Sequence, residues 1–375
     1  GLKDVLVPSA FFEDLGIKYT GPVDGHDETA LEFALTRARE YADPVIVHVI
    51  TEKGRGYTPA EEDVVDRFHA VGRIHPETGL PIVPSRFGWT SVFAEEILEL
   101  ARADERIVAV TAAMQQPVGL QPMADALPDR VIDVGIAEQH ALTASAGMAF
   151  AGLHPVVALY ATFLNRAFDQ VLMDVGLHHA GVTIVLDRAG LTGTDGASHN
   201  GMWDMALLAH VPGLRLAAPR DETTLREDLR TAAATSDGPT VLRYPKGALP
   251  ERAPALRVMG PPNDPFEAVD VLMEADDDGP GERRLVLVAV GAMTPAVLAA
   301  GRDLADEGRA VAVVAPRWVV PIPRALVETA RSFDGVVVVE DGLVDGGIGS
   351  QLRDALEDNA AETGRRRPVV ARVVV

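Results

Sequence analysis

Short apolar runs rich in β-branched residues recur along this chain and alternate with longer stretches of helical period. No other feature limits the possible folds as much. The runs cover residues 44–50, 106–110, 156–159, 182–187, 214–217, 240–243, 285–290, 310–314, 335–340 and 369–375. They are apolar throughout rather than alternating, which suits parallel strands covered on both faces. Between them, residues 89–103, 139–151, 166–178, 221–235, 293–307 and 349–359 carry apolar residues at helical spacing. Strands alternating with helices predict an α/β protein made of consecutive open, mainly parallel sheets with helices on both faces.

Two stretches interrupt the alternation. Residues 72–87 hold Pro76, Gly79, Pro81 and Pro84, and residues from 245 to about 284 hold PPNDP and the acidic EADDDGPGE. A length of 375 residues exceeds one ordinary domain. The expected division is the tail of one domain plus a linker over 1–85, a complete α/β domain over 86–250, a linker over 251–284 and a smaller domain over 285–375.

Charge narrows the partners. Lys plus Arg is 34 against 55 Asp plus Glu, a formal charge of -21. A field of that sign disfavours nucleic acid and anionic membrane surfaces, so any phosphorylated substrate needs locally gathered arginines. The absence of cysteine excludes disulfides, thiol catalysis and cysteine metal sites. No apolar run reaches the ~18 residues of a membrane span, and the N-terminal residues show no basic region followed by an apolar core. A cytoplasmic location is expected. The chain opens on Gly1 and closes inside the apolar PVVARVVV, so a segment of a longer protein is expected.

Six places offer chemistry. In VGIAEQH, Glu138 follows a strand and opens a helix. It reads either as an acidic residue favoured by the helix dipole or as a carboxylate that hydrogen-bonds a ring nitrogen of a cofactor. Tyr160, Phe163 and Arg166 stand three apart and share one side if their segment is helical. They read as core aromatics with a surface arginine, or as a stacking face with an anion-binding fork. Residues 187–201, DRAGLTGTDGASHNG, place four glycines with Arg188, Asp195 and His199 directly after a strand. An unstructured loop of that length is uncommon unless functional. Arg243 ends a further strand in RYPKG, and with Arg166 and Arg188 it makes three arginines at strand ends that one phosphate would explain. In the first eighty-odd residues, the Gly/Pro/Asp turn GPVDGHD holds His26, a fair general acid or base, and EKGRGY offers Lys53 after a strand.

With these residues in view, the chain resembles the 1-deoxy-D-xylulose-5-phosphate synthases, thiamine diphosphate enzymes of the transketolase superfamily. The resemblance runs from about Phe12 to about Gly349. It rests on GPVDGHD, EKGRGY, FHAVG, DVGIAEQHALT, ALYATFLNRAFDQV, LDRAGLTGTDGASHNGMWD, RYPKG and EDGLVDGGIGS. It implies that residues 1–85 close a diphosphate-binding domain, that 86–250 form a pyrimidine-binding domain, and that 285–375 form a transketolase-type C-terminal domain.

The resemblance also implies a reaction: decarboxylation of pyruvate on thiamine diphosphate and transfer of the two-carbon unit to D-glyceraldehyde 3-phosphate, the first step of a route to isoprenoids. By likeness, Glu138 binds the aminopyrimidine, and Phe163 and Ile136 complete its pocket. Tyr160, Arg166, Arg188 and Arg243 hold the acceptor phosphate. Asp195, His199 and Lys53 contact substrate, with His199 and His26 at the proton transfers. Family members are homodimers that hold Mg²⁺ through a Gly-Asp-Gly…Asn motif. That motif is not found in this chain, so no metal ligand is expected here. AAMQQPVGL replaces a segment that is glycine-rich in the family. The readings to separate are a synthase or its C-terminal part, a non-catalytic scaffold that needs a separate N-terminal partner, and a transketolase-like subunit with another acceptor.

Overall fold

The computed structural model describes residues 10–63, 67–69, 71–82, 87–275, 283–363 and 368–375. Residues 1–9 of the expected first domain, Ala70 of FHAVG and most of the acidic EADDDGPGE lie outside them. The chain falls into two compact units, Gly1–Ser85 and Arg86–Val375.

The first unit is built on a βαβ crossover in which β1 (Lys18–Asp24) and β2 (Val45–Ile50) pair in parallel and α1 (Glu28–Tyr41) crosses between them. Asp27 caps α1 by accepting a hydrogen bond from the Ala30 amide, a standard N-terminal arrangement. The bulge between Thr20 and Val23 falls at the Gly-Pro pair of GPVDGHD, where proline cannot donate to the ladder.

The second unit contains two sheets. In the first, β3 (Ile107–Thr111), β4 (Val131–Asp133), β5 (His154–Tyr160), β6 (Thr183–Asp187), β7 (Arg215–Ala217) and β8 (Thr240–Tyr244) are mutually parallel. Across the sheet they run β7-β8-β6-β5-β3-β4. One face is covered by α2 (Trp89–Ala103), and the other by α3 (Glu138–Phe150). Along β5, Val156 and Ala158 pack with Trp89 and Phe93, while Val157 and Leu159 pack with Ala141 and Leu142. Two-sided cover is why these strands carry no polar alternation. Helix α4 (Glu222–Ala233) lies beside α2, its Leu225 and Leu229 in the same core.

The second sheet adds β9 (Arg257–Met259), β10 (Val269–Met273), β11 (Leu285–Ala289), β12 (Val311–Pro316), β14 (Gly335–Glu340) and β15 (Val369–Val374), in the order β15-β14-β11-β12-β10-β9. β10 is antiparallel to both its neighbours. Helix α5 (Thr294–Asp306) covers one face, while α6 (Arg324–Arg331) and α7 (Ile348–Thr363) cover the other. The intervening strand β13 (Trp318–Val320) leaves this sheet and pairs antiparallel with β7 of the first. One apolar core runs through both sheets, including Leu159, Ile184, Val286 and Val338.

Three differences from the sequence expectation have physical causes. The expected linker over 251–284 instead supplies β9 and β10. Asp270 breaks the apolar run of β10 and is neutralised in place by Arg220, a partner 50 residues away. The expected helix over 166–178 is instead a 3₁₀ helix (Ala161–Ala167), a helical turn (Phe168–Gln170) and a π-turn (Val171–Gly176). The three-residue strands β4 and β13 are too short to show a period.

Candidate active site

All first-sheet strands of the parallel set end on the same edge, so the loops after β3, β4, β5, β6 and β8 gather there. The chain steps from β3 outward to β4, and then returns to place β5 on the other side of β3. Such a reversal opens a crevice at the carboxyl ends of the strands, where ligands bind in open α/β sheets. Helix α3 begins beside this point.

Glu138 is the first residue of α3 and is 2% exposed. The turn leading to it is set by Asp133, whose Oδ1 accepts from the amides of Ala113 at 2.7 Å and Gly135 at 2.9 Å. The helix N-terminus offers the carboxylate a favourable dipole. Arg166 Nη1 stands 3.9 Å from Glu138 Oε2, with its side chain 56% exposed. Ile136, two residues earlier, is 77% exposed.

Tyr160 ends β5 and is followed by the 3₁₀ helix. At three residues per turn, positions three apart eclipse, which lines up Tyr160, Phe163 and Arg166. The Tyr160 and Phe163 rings lie 5.8 Å apart and nearly parallel, at 10°. The Arg166 guanidinium is 5.7 Å from the Phe163 ring centre, and His199 meets the same ring edge-on at 5.7 Å. Arg188 lies over the Tyr160 ring at 3.9 Å, a cation–π contact. Burial pushes the Tyr160 phenol up to about 12, against the pull of Arg188.

Arg188 is held in the left-handed region, with φ 61°, a conformation that costs a non-glycine residue about 1 kcal/mol or more. Its Nη1 is 3.2 Å from Asp187 Oδ1. Asp187 is buried at the end of β6, and burial raises its pKa despite the opposing Arg188 charge. Thr90 Oγ1, from α2, donates to Asp187 Oδ2 at 2.6 Å. A fixed carboxylate thus sets the arginine that crosses Tyr160.

The loop after β6 carries Asp195 and His199. Both Asp195 oxygens accept from Lys246 Nζ, at 2.7 and 2.8 Å, and that contact pulls the Asp195 pKa down. Ser198 Oγ is 3.1 Å from His199 Nδ1. Arg188 and His199 also act on the Asp195 charge, so these groups form one electrostatic cluster.

Arg243 corrects the sequence expectation. It is 3% exposed, and its Nε donates to Asp204 Oδ2 at 2.7 Å. Its Nη1 and Nη2 donate to Asp341 Oδ1 at 2.7 Å and the Asp341 carbonyl at 3.0 Å. Two buried carboxylates and a carbonyl claim the guanidinium, which therefore does not share an open cavity with Arg166 and Arg188. It ties β8 to the loop after β14. Gly190 approaches the same Asp341 so closely that a Cβ would collide with its Oδ2.

His26 and Lys53 belong to the first unit, and both are exposed. His26 Nε2 accepts from the Glu52 amide at 2.7 Å, and the His26 amide donates to Asp24 Oδ1 at 2.9 Å. The first of these bonds joins the GPVDGHD turn to the end of β2, and the second closes the turn on itself. The segment AAMQQPVGL follows β3, where Gln115 Nε2 donates to Gln121 Oε1 at 2.9 Å. Among the described residues, no three His, Asp or Glu side chains are grouped to hold a metal, and no helix is long and apolar enough to cross a membrane.

The sequence reading passed over Lys246, Asp187 and Thr90. Lys246 stands in the quoted RYPKG, where its place after a strand end was the available signal. Thr90 lies 97 residues from Asp187, and nothing local points to the pair.

The fold and this site define a protein of the transketolase class. Residues 85–252 match the family described as the transketolase pyrimidine-binding domain, and residues 275–373 match the transketolase C-terminal domain. Within that class the chain belongs to the 1-deoxy-D-xylulose-5-phosphate synthase family, whose own profile matches residues 1–51. It is 56% identical to the 1-deoxy-D-xylulose-5-phosphate synthase of Renibacterium salmoninarum, over 97% of this chain and 54% of the relative. It is also 56% identical to 1-deoxy-D-xylulose-5-phosphate synthase 2 of Streptomyces coelicolor, over 98% of this chain and 56% of the relative. The chain thus spans about half the length of these curated relatives. Among solved structures it is similar to one titled a split gene transketolase, an inactive beta4 tetramer. That likeness has TM-score 0.64 and 29% identity, covering 76% of this chain and 87% of that one. Transketolase from Leishmania mexicana shares the fold, with TM-score 0.58 and 20% identity over 70% of this chain and 40% of that one.

Proposed function

We propose that this chain carries the pyrimidine-binding and acceptor-binding part of a 1-deoxy-D-xylulose-5-phosphate synthase. The complete enzyme would decarboxylate pyruvate and transfer the two-carbon unit to D-glyceraldehyde 3-phosphate with thiamine diphosphate and Mg²⁺, as a cytoplasmic homodimer. In this reading residues 1–85 belong to the diphosphate-binding domain, 86–250 to the pyrimidine-binding domain and 285–375 to the C-terminal domain.

The observation that carries the reading is Glu138, a buried carboxylate at a helix start, joined through Arg166 to the half-buried ring of Phe163. A flat ring with an acceptor nitrogen fits that combination: Glu138 would hold the ring nitrogen and share a proton with it, Phe163 would stack, and the exposed Ile136 would lie alongside. Thiamine diphosphate supplies, when bound, the electron sink for decarboxylation. Arg166 and Arg188 bind the acceptor phosphate, where planar forks suit paired oxygens. Tyr160 backs Arg188, and His199 faces the substrate. Lys53 would contact substrate. A proton-transfer role for His26 falls to Nδ1, because Nε2 already accepts from Glu52. The diphosphate and Mg²⁺ are assigned to no residue among those described. The split-gene title of a relative of similar span favours their being held by residues outside this chain.

The test is calorimetry with thiamine diphosphate and Mg²⁺, together with a carbon dioxide release assay, on this chain with and without a chain bearing the diphosphate-binding half. Weak binding alone, and turnover only with the partner, is expected. Micromolar binding, about -8 kcal/mol, or turnover by this chain alone would overturn the division of labour. No binding and no turnover even with the partner would favour a scaffold.

A further inference from the structure

We propose that Asp228, Arg317 and Glu227 form a pH-sensitive clasp at the seam between the two sheets of the second unit: Asp228 is held as the neutral acid while Arg317 pairs with Glu227 at the surface, and loss of the Asp228 proton turns Arg317 inward.

Asp228 stands where helical spacing calls for an apolar side chain. It shares the buried stripe of α4 with Thr224, Leu225 and Ala232. It is 2% exposed, and its Oδ2 has no hydrogen-bond partner among the described residues. Charged neighbours reach it from both sheets. Arg220 and Asp221 precede α4, Asp270 lies on β10, and Arg317 precedes β13, the strand that crosses from the second sheet to pair with β7. Arg220 favours a charge on Asp228, while Asp270 and Asp221 oppose it. On the side of α4 that meets α2, Arg226 and Arg230 are already matched by Glu95 and Glu96.

One buried carboxylate is left over. Asp270 has the Arg220 guanidinium, whose Nε also donates to the Ala253 carbonyl at 3.0 Å. Asp221 caps α4, accepting from the Thr224 amide at 2.9 Å and from the Ala253 amide at 3.0 Å. Among the described residues Asp228 has no such bond. Burial therefore favours its proton-bound form and raises its pKa well above the ordinary aspartate value.

Arg317 has two acids within reach. Its Nη2 donates to Glu227 Oε2, on a side chain 48% exposed. Its Nε is buried without a hydrogen-bond partner among the described residues, 3.8 Å from both Asp228 Oδ1 and Asp270 Oδ2. An ionised Asp228 adds the close anion that this Nε lacks. Arg317 and Glu227 line a cavity of about 190 Å³ with Arg220, Asp270 and the exposed Arg252, so the guanidinium has room to turn.

The unfolded chain releases the Asp228 proton near pH 3.8, and the folded chain keeps it to higher pH. Between the two values the folded state binds more protons. This group's stabilisation is therefore lost as pH rises through the window, the reverse of an ordinary paired carboxylate.

The test follows the Asp228 carboxyl carbon by carbon-13 NMR against pH, in protein labelled at aspartate. The signal absent from Asp228→Asn assigns it, or from Asp228→Glu should the first variant not fold. The midpoint should lie above that of an exposed aspartate. Glu227→Gln should lower it by about one pH unit, tenfold in proton affinity, because Arg317 is then left with the inner acid. In an Arg317→Met background the same substitution should move it by about a third of that or less, the residue of Glu227's own charge. In urea unfolding, Asp228→Asn should gain on the unaltered chain as pH rises, and every group common to both cancels in the difference. A midpoint at or below the ordinary aspartate value overturns the proposal, as does an Asp228→Asn protein that falls behind with rising pH. Equal shifts by Glu227→Gln in the two backgrounds also overturn it, because Glu227 would then act by its charge alone and Arg317 would not change partners.

Discussion

Arg166 places its guanidinium 3.9 Å from the Glu138 carboxylate, an exposed cation facing a buried acid. At this distance it offers charge without a hydrogen bond, which leaves the carboxylate free to take a ligand donor.

That relationship gives the first expectation. Glu138→Gln keeps the side chain's shape and removes the group that shares a proton. Thiamine-dependent decarboxylation in the complete enzyme should fall by about 100-fold or more, with the unfolding midpoint of this chain unchanged. A variant retaining most of the turnover would remove Glu138 from the chemistry.

Arg188 should carry more of the phosphate affinity than the solvent-facing Arg166, because Asp187 and Tyr160 fix it in place. Arg188→Ala is expected to weaken inorganic phosphate binding by about 1.5–3 kcal/mol. Arg188→Lys should recover only part of that, since it keeps the charge and loses the planar fork. Calorimetry reads both, and equal binding by all three proteins would contradict the assignment.

For Arg243 the expected loss is stability. Arg243→Met leaves Asp204 and Asp341 buried without their cation, which typically costs about 3–5 kcal/mol. Urea unfolding measures it. A loss below about 1 kcal/mol, accompanied by weaker phosphate binding, would return Arg243 to the acceptor site.

His154 predicts a pH dependence. It is buried at the start of β5, its Nε2 2.8 Å from Thr183 Oγ1. Burial, with a smaller push from Arg106, lowers its pKa from 6.5 to about 4. The unfolded chain therefore takes up a proton first as pH falls, and this group's contribution is lost between pH 6.5 and about 4. The full span corresponds to about 3 kcal/mol. His154→Gln should remove that part of the slope. Unfolding curves of both proteins at several pH values within the window check it, and parallel pH profiles would rule it out.

The amino-acid sequence by itself determined the α/β class, because strands covered on both faces must be apolar at every position. Val156, Val157, Ala158 and Leu159 show this plainly. It also determined the motifs: Glu138 at a helix start, the aromatic–arginine spacing of Tyr160, Phe163 and Arg166, and the glycine-rich loop with Arg188, Asp195 and His199. These signals are local, each readable within a few residues. Tertiary structure decided which charges meet. Arg243 and Arg188 look alike in sequence, each closing or following an apolar strand. Only the arrival of Asp341, 98 residues from Arg243, makes one a buried tie, while Thr90 and Asp187 leave the other facing Tyr160. The same holds for Asp195, whose partner Lys246 lies 51 residues on. Ion pairing falls off over a few ångströms, and parallel β-sheet order brings such partners together without leaving a mark in the sequence around either one.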